Sequence, residues 1–310
     1  MSMTIFLSIV SYRDELLHDT LISALDTADQ ADELAFAVVD QSDRPADWST
    51  DPGLRKCCRY LHVPHREARG PCWARSIAAG LWQGEAYFLQ IDAHTVFDIG
   101  WDTVLIEQLE SMLTETPRAV LSTYPPGFTL NDGLPSRSEP ARTVIRLDVM
   151  PDSDLRPQSA TLRFHGIRTE STKSLEGFHV GAGCLFTRGF FIQEIPPDPF
   201  LYFEGEEQNI AIRAWTAGWR IFHPPVMPVY HLYNKDNARP LHWDASAERG
   251  RVVDWRALQD RSSLRLRRLL FDGENLGAYG LGSVKSLQEY AEFSGIDYLR
   301  KKVRRREITA

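Results

Sequence analysis

The stretch FLQIDAHTVFD, Phe88 to Asp98, ends an apolar run on a carboxylate and an imidazole one residue apart. Both groups are costly to bury without partners. If residues 86–91 form a strand, Asp92 and His94 leave from its carboxyl end, which is where open α/β sheets bind ligands. The neighbouring segments decide whether such a sheet exists.

Towards the N-terminus, residues 4–10 (TIFLSIV), 34–39 (LAFAVV) and 60–63 are rich in β-branched and aromatic side chains and predict strands. Residues 15–27 carry Leu17, Leu21, Ile22, Ala24 and Leu25 at helical spacing, and 71–82 reads as a second helix. The polar stretch 65–70 reads as a loop. Strand, helix, strand, strand, helix, strand is the order of a doubly wound α/β sheet. Ser11, Tyr12, Arg13, Asp14, Asp40 and Gln41 then sit at two further strand ends. Towards the C-terminus, the pattern predicts helices over 100–113 and 206–217. Strands are predicted over 119–123, 143–147, 178–187 and 220–224. The segment 124–172 is rich in Pro, Gly, Ser and Asp, a composition common in functional loops. Beyond about 242 the composition shifts to Arg and Leu, which predicts a helical extension.

The 310 residues are 43% apolar and 25% charged, ordinary for a globular chain with a sizeable core. A net charge of -7 argues against a general nucleic-acid surface. Basic residues crowd 261–268 (RSSLRLRR) and 300–306 (RKKVRRR). These are solvated helix faces, or contacts for an acidic partner or membrane surface. The four cysteines include no C-x-x-C pair, which fits neither a zinc site nor a disulfide framework and suits the cytoplasm. The first residues read as a strand rather than a signal peptide. No run approaches the roughly 20 apolar residues of a membrane-spanning helix.

Four motifs carry chemistry. In Asp92-Ala93-His94, a carboxylate and an imidazole suit Mn²⁺ or another first-row ion; a hydrogen-bonded loop pair has the same appearance. In VYHLY, His231 follows a Pro-rich turn. It is either a core histidine or the third ligand that Asp92 and His94 need. In YFEGEEQ, residues 202–208, Glu204, Glu206 and Glu207 open a helix, where carboxylates favour the dipole or face a pocket of hydroxyls. Arg66, Arg69 and Arg75 surround a helix start, a place that attracts phosphate. Neither a P-loop nor a G-x-G-x-x-G fingerprint is present, so a phosphate ligand would need a metal plus arginines. His223, at another strand end, is expected to tolerate replacement by alanine.

Taken together, IFLSIVSYRD, RGPCWAR, YFLQIDAHTVFDIGWD, HVGAGCLFTRGFF, FEGEEQNIAIRAWTAGWRIFHPP with YHLY, and YGLGSVKSLQEYAEFSGID resemble a glycosyltransferase of the GT-A fold. More narrowly, the chain resembles the cytoplasmic N-acetylglucosaminyltransferases that modify hydroxyproline on a ubiquitin-ligase adaptor, and their bacterial relatives. The resemblance covers most of the chain and is weakest over 125–173. It implies a Rossmann-like, mostly parallel central sheet flanked by helices. It implies a catalytic domain over 1–242 that binds nucleotide sugar and metal, with a helical extension over 243–310 packed on it. Asp92 and His94 would be the D-x-H form of the metal-binding D-x-D motif, with His231 as third ligand and Mn²⁺ (or Mg²⁺) as the ion. Residues 203–209 resemble the W-G-G-E-N-x-E helix start of the polypeptide N-acetylgalactosaminyltransferases. On that comparison Glu206 takes the place of the sugar-contacting Glu, and Asn209 departs from the second acidic residue. The implied reaction moves N-acetylglucosamine from UDP-GlcNAc to a hydroxyl acceptor, such as a protein or peptide, with retention.

On this reading Asp92, Glu206 and Glu207 form the catalytic set. Arg69 and Arg75 add positive potential for the diphosphate. Ser11, Tyr12, Arg13, Asp40 and Gln41 face uracil and ribose. Gly181 and Gly183 let backbone approach the sugar. Two alternatives stand beside it: an inverting transferase with Glu206 or Glu207 as base, and a sugar-nucleotide-binding protein without turnover.

Overall fold

The structure, a computed structural model, describes residues 3–48, 51–138, 143–233, 240–244 and 250–305. Residues 139–142 of the 125–173 segment, and Arg306 of the basic run, lie outside the described residues. Eight strands form one sheet. Along the chain they are β1 (Ile5–Tyr12), β2 (Leu34–Ser42), β3 (Cys58–Pro64), β4 (Tyr87–Asp92), β6 (Ala119–Ser122), β11 (Leu175–Gly177), β12 (Cys184–Arg188) and β13 (Arg220–His223). Their spatial order is β11-β13-β6-β12-β4-β1-β2-β3. The block β3-β2-β1-β4 is parallel, and β12 runs antiparallel between β4 and β6. The register pairs Val10 with Asp92 and Tyr12 with Gln41, so the polar residues of three strands end side by side.

Both faces of this sheet are covered, which is why its strands read as continuous apolar runs. Side chains alternate between two cores. Ile5, Leu7 and Ile9 pack with Leu21 and Ala24 of α1 (Leu17–Thr27) and with Trp101 and Leu105 of α4 (Trp101–Leu113). Phe6 and Val10 point the other way, onto Ala74 and Ala78 of α3 (Pro71–Ala79) and Ala211 and Ala214 of α6 (Glu206–Thr216). Short helices α2 (Pro52–Cys57) and α5 (Phe191–Glu194) complete the layers.

A two-stranded ribbon pairs β5 (Thr95–Phe97) with β14 (Val229–His231), His231 opposite Thr95. It carries His231 next to the end of β4. The 125–173 segment contains two further ribbons, β7 (Phe128–Asn131) with β8 (Leu134–Arg137) and β9 (Val144–Val149) with β10 (Phe164–Thr169). In the C-terminal part, α7 (Trp255–Leu270) and α8 (Leu287–Ser294) supply Leu266, Leu269, Leu270 and Tyr290 to a third apolar cluster. That cluster includes Ile212 and Trp215 of α6 and Leu162 beside β10. A last pair of two-residue strands, β15 (Ile296–Asp297) and β16 (Lys302–Val303), follows. Among the described residues no helix is long and apolar enough to cross a membrane.

The expected strand over 178–187 begins only at Cys184. A Cβ on Gly181 would lie 2.5 Å from the Thr123 carbonyl oxygen, so the chain before Cys184 is pressed against the end of β6 instead of extending β12. Several basic side chains are held in ion pairs: Arg265 with Asp198, Arg268 with Glu274, Arg300 with Asp297 and Arg305 with Asp154.

Candidate functional site

At Arg13 the backbone takes a left-handed conformation, φ 48°, rare for a residue with a Cβ. The Arg13 N–H donates to the Gln41 carbonyl at 3.1 Å. This turn brings Asp14 against the end of β4, where its Oδ2 lies 2.8 Å from Nδ1 of His94. An imidazole that donates from Nδ1 to a carboxylate keeps Nε2 as an acceptor. That Nε2 lies 3.0 Å from Nε2 of His231, which is 3.1 Å from Oδ2 of Asp92.

The ligand-type atoms of Asp92, His94 and His231 all fall within 4.8 Å of one another and could hold a metal ion. Two of the separations, 3.0 Å between the histidines and 3.1 Å from His231 to Asp92, match ligands about 2.1 Å from an ion and about 90° apart, which lie about 3.0 Å from one another. Nδ1 of His231 is buried and has no partner among the described residues. Burial raises the carboxyl of Asp92, but the His231 hydrogen bond and the Arg75 charge outweigh it and hold the group well below the usual carboxylate range. Burial pushes the imidazole of His94 down against the opposing pull of Asp14. A charged carboxylate and a neutral imidazole are the forms that bind metal.

A second network extends from Asp92. Arg75, on α3 and with a side chain only 3% exposed, donates to Asp92 Oδ1 at 2.6 Å and to Glu206 Oε2 at 2.5 Å. Glu206 and Glu207 lie in the first turn of α6, where the helix dipole favours negative charge. The turn starts on Gly205 at φ +87°, a conformation that disfavours side chains. Glu207 accepts from the Ala182 N–H and the Tyr124 hydroxyl, both at 2.8 Å. Burial, reinforced by Glu207, keeps the Tyr124 phenol protonated far above its ordinary range. Burial also raises the Glu206 carboxyl, against Arg75.

These groups open onto a cavity of about 680 Å³ lined by Arg75, Asp92, Gly183, Glu204, Glu206 and Glu207. A Cβ on Gly183 would lie 3.2 Å from Asp92 Oδ2 and 3.4 Å from the His231 ring, so only glycine leaves the space beside the triad open. At the ends of β1 and β2, Ser11 Oγ, Tyr12 Oη and Gln41 Oε1 are buried without partners among the described residues. Asp40 is engaged: its Oδ2 accepts from Tyr60 and Ser42, each at 2.8 Å. Arg13 pairs with Asp43 at 3.2 Å.

Two sequence expectations land elsewhere. Arg69 is not among the residues lining this cavity. Its guanidinium packs over Trp73 and lines a separate groove with Phe200 and Arg261. His223 is fully buried, with Nδ1 2.7 Å from the Ser122 carbonyl oxygen, so it is a core residue that alanine would not replace without cost. The sequence puts Asp14 at a strand end without a role in the site, and it gives no place to Tyr124 or to His179, whose Nε2 lies 3.4 Å from Glu207 Oε2. Only Asp14 carried a signal, its place beside a strand end.

Residues 52–300 match the family model described as Glycosyltransferase (GlcNAc). None of the curated proteins matches the sequence. Among solved structures, GalNAc-T7 with UDP, GalNAc and Mn²⁺ superposes with a TM-score of 0.58 at 16% identity. The match covers 94% of this chain and 54% of that one. S. aureus TarS matches at 14% identity and a TM-score of 0.45, covering 74% of this chain and 37% of that one. The chain thus spans about half the length of GalNAc-T7. The first likeness assigns the fold, a GT-A fold built on a mostly parallel sheet.

Proposed function

We propose, from the premise that this chain belongs to the glycosyltransferase (GlcNAc) family, that it moves N-acetylglucosamine from UDP-GlcNAc to a hydroxyl acceptor, with a divalent metal and with retention. The observation that carries this reading is the Asp92–His94–His231 cluster, whose Asp92 is tied through Arg75 to Glu206 and lines one cavity with both. Two imidazoles and one carboxylate suit Mn²⁺ better than Mg²⁺, which prefers all-oxygen sites. When bound, the ion supplies positive charge to a diphosphate leaving group. Asp14 holds His94 in the tautomer whose Nε2 faces the cluster. Arg75 fixes the orientation of Asp92 and adds a positive charge that needs no rearrangement. Glu206 and Glu207, anchored by Arg75 and by Tyr124 and Ala182, offer acceptor oxygens to sugar hydroxyls.

Retention by a front-face route asks no protein carboxylate to act as base, since the leaving phosphate can take the acceptor's proton. The inverting alternative draws on Glu206, whose Oε1 is buried without a partner among the described residues and whose carboxyl burial raises. The first-formed anomer of released N-acetylglucosamine, followed by NMR, separates the two. The α-anomer is expected, and an initial β-anomer would overturn retention. For the acceptor we assign a hydroxyl on a protein or peptide, hydroxyproline in the subfamily that the sequence resembles. We assign the cytoplasm as location. We divide the chain into a catalytic part over 1–242 and a C-terminal extension over 243–310, which packs on α6 through α7 and α8.

A further inference from the structure

Arg251 lies outside every element and outside the networks described above. Its Nε, Nη1 and Nη2 are all buried, and none has a hydrogen-bond partner among the described residues. Burying an ionised side chain without a partner is among the most costly arrangements a fold can hold. Arginine cannot escape the cost by losing its proton. Such a group is retained where a negatively charged ligand completes it.

The surroundings place this guanidinium at the nucleotide end of the site. The Val252 N–H donates to the Arg66 carbonyl at 2.9 Å, which ties the segment to the turn that follows β3. The Arg251 charge is felt by His65 of that turn, and by Tyr202 and His242. Burial first, and then the Arg251 charge, hold His242 down at about 4, so it is neutral there. The His242 ring lies 4.9 Å from the ring of Tyr12, the last residue of β1, and its Nδ1 is 2.6 Å from the Tyr202 hydroxyl. Tyr12 Oη, Ser11 Oγ and Gln41 Oε1 are independently buried without partners among the described residues. Polar atoms of Ser11, Tyr12 and Gln41 at the ends of β1 and β2, and the charged guanidinium of Arg251, therefore lack hydrogen-bond partners among the described residues.

We propose that Arg251 is a binding residue for the nucleoside diphosphate of the donor, pairing with a phosphate oxygen. Its planar fork matches phosphate in a way that neutral uracil does not offer. This inference rests on the donor reading above. It adds a contact from the C-terminal side of the chain that ties the extension to an occupied site.

The test compares wild type, Arg251→Met and Arg251→Lys in the full chain. Calorimetry measures the binding of UDP and of uridine, with Mn²⁺ present. The expected result is a loss of at least about 10-fold in UDP affinity for Arg251→Met, with partial retention in Arg251→Lys and little change for uridine. Losing a charged hydrogen bond from a buried partner sets that scale. The ligand-free melting temperature of Arg251→Met should rise or hold, because the variant removes an unpaired buried charge. A merely structural arginine would lower it. UDP affinity equal to wild type in a folded Arg251→Met, or equal losses for UDP and uridine, would overturn the phosphate contact and leave the donor reading intact. A ligand-free Arg251→Met that melts well below wild type would make Arg251 structural and overturn the proposal. Failure of the wild type to bind UDP would overturn the donor reading and this inference together.

Discussion

Asp14→Asn replaces a carboxylate oxygen with an NH₂ group behind the metal cluster, at the residue that meets Nδ1 of His94. Asp14 Oδ1 accepts the Leu16 N–H at 3.0 Å, and Oδ2 faces Nδ1 of His94 at 2.8 Å. Asparagine can keep the first contact through its carbonyl oxygen. It then presents an NH₂ group to His94, so Nδ1 must become an acceptor and the ring proton moves to Nε2. That proton points at His231 and Asp92, where the lone pair is needed. Outer partners of this kind contribute about 10- to 100-fold to metal affinity, or about 1.4 to 2.7 kcal/mol. The packing of Asp14 is unchanged, so thermal stability should move by less than about 1 kcal/mol. The assay is the free Mn²⁺ signal in electron paramagnetic resonance, titrated against wild type and variant, with melting curves alongside. An Asp14→Asn protein that binds Mn²⁺ as tightly as wild type would refute the tautomer argument.

His231→Ala should also weaken Mn²⁺ by about 10-fold to 100-fold or more. High Mn²⁺ should restore part of its turnover, whereas a folding defect would not respond to added metal. The control is the exposed His18→Ala, since His223 belongs to the core. Stability should fall as pH drops from about 6.5 to about 4. His223 and His242 are buried and neutral, each lowered to about 4, mainly by burial. In that window the unfolded chain binds protons that the folded chain refuses, so acid favours unfolding. Against an ordinary value near 6.5, the gap is about 3 kcal/mol per histidine. Denaturant midpoints at pH 7.5 and 4.5 measure it, and equal midpoints would contradict the burial argument.

The sheet was legible because its strands are buried on both faces and so read as apolar runs ending on polar residues. Asp92 and His94 could be found for the same reason: a buried strand, apolar but for Gln90 from Tyr87 to Ile91, that then offers a carboxylate has reached a ligand face. His231 required more. Its neighbour is fixed by the pairing of β14 with β5, a contact spanning more than 130 residues, and no local pattern encodes such a register. Helix α2 went unread because its six residues open on Pro-Gly and are too short to show periodicity. Of the ribbon strands inside 125–173, β7, β8 and β10 alternate weakly, since nearly all of their residues are half exposed or exposed, while β9, with Val144 and Leu147 buried, is the one the sequence suggested. Arg69 and Arg75 looked equivalent along the chain. The helix separates them: Arg75 turns inward to two carboxylates, and Arg69 lies outside on Trp73. His223 looked like a strand-end residue. It is in fact enclosed tightly enough that a Cβ on Gly177 would lie 2.1 Å from its Nε2.

The account turns on one measurement: release of UDP by the full chain from a panel of UDP-sugars, with Mn²⁺ and again with EDTA. It predicts that UDP-N-acetylglucosamine is the best donor, that EDTA abolishes release, and that Asp92→Ala loses release while remaining folded. Release that persists in EDTA, or a clear preference for another UDP-sugar, would contradict it.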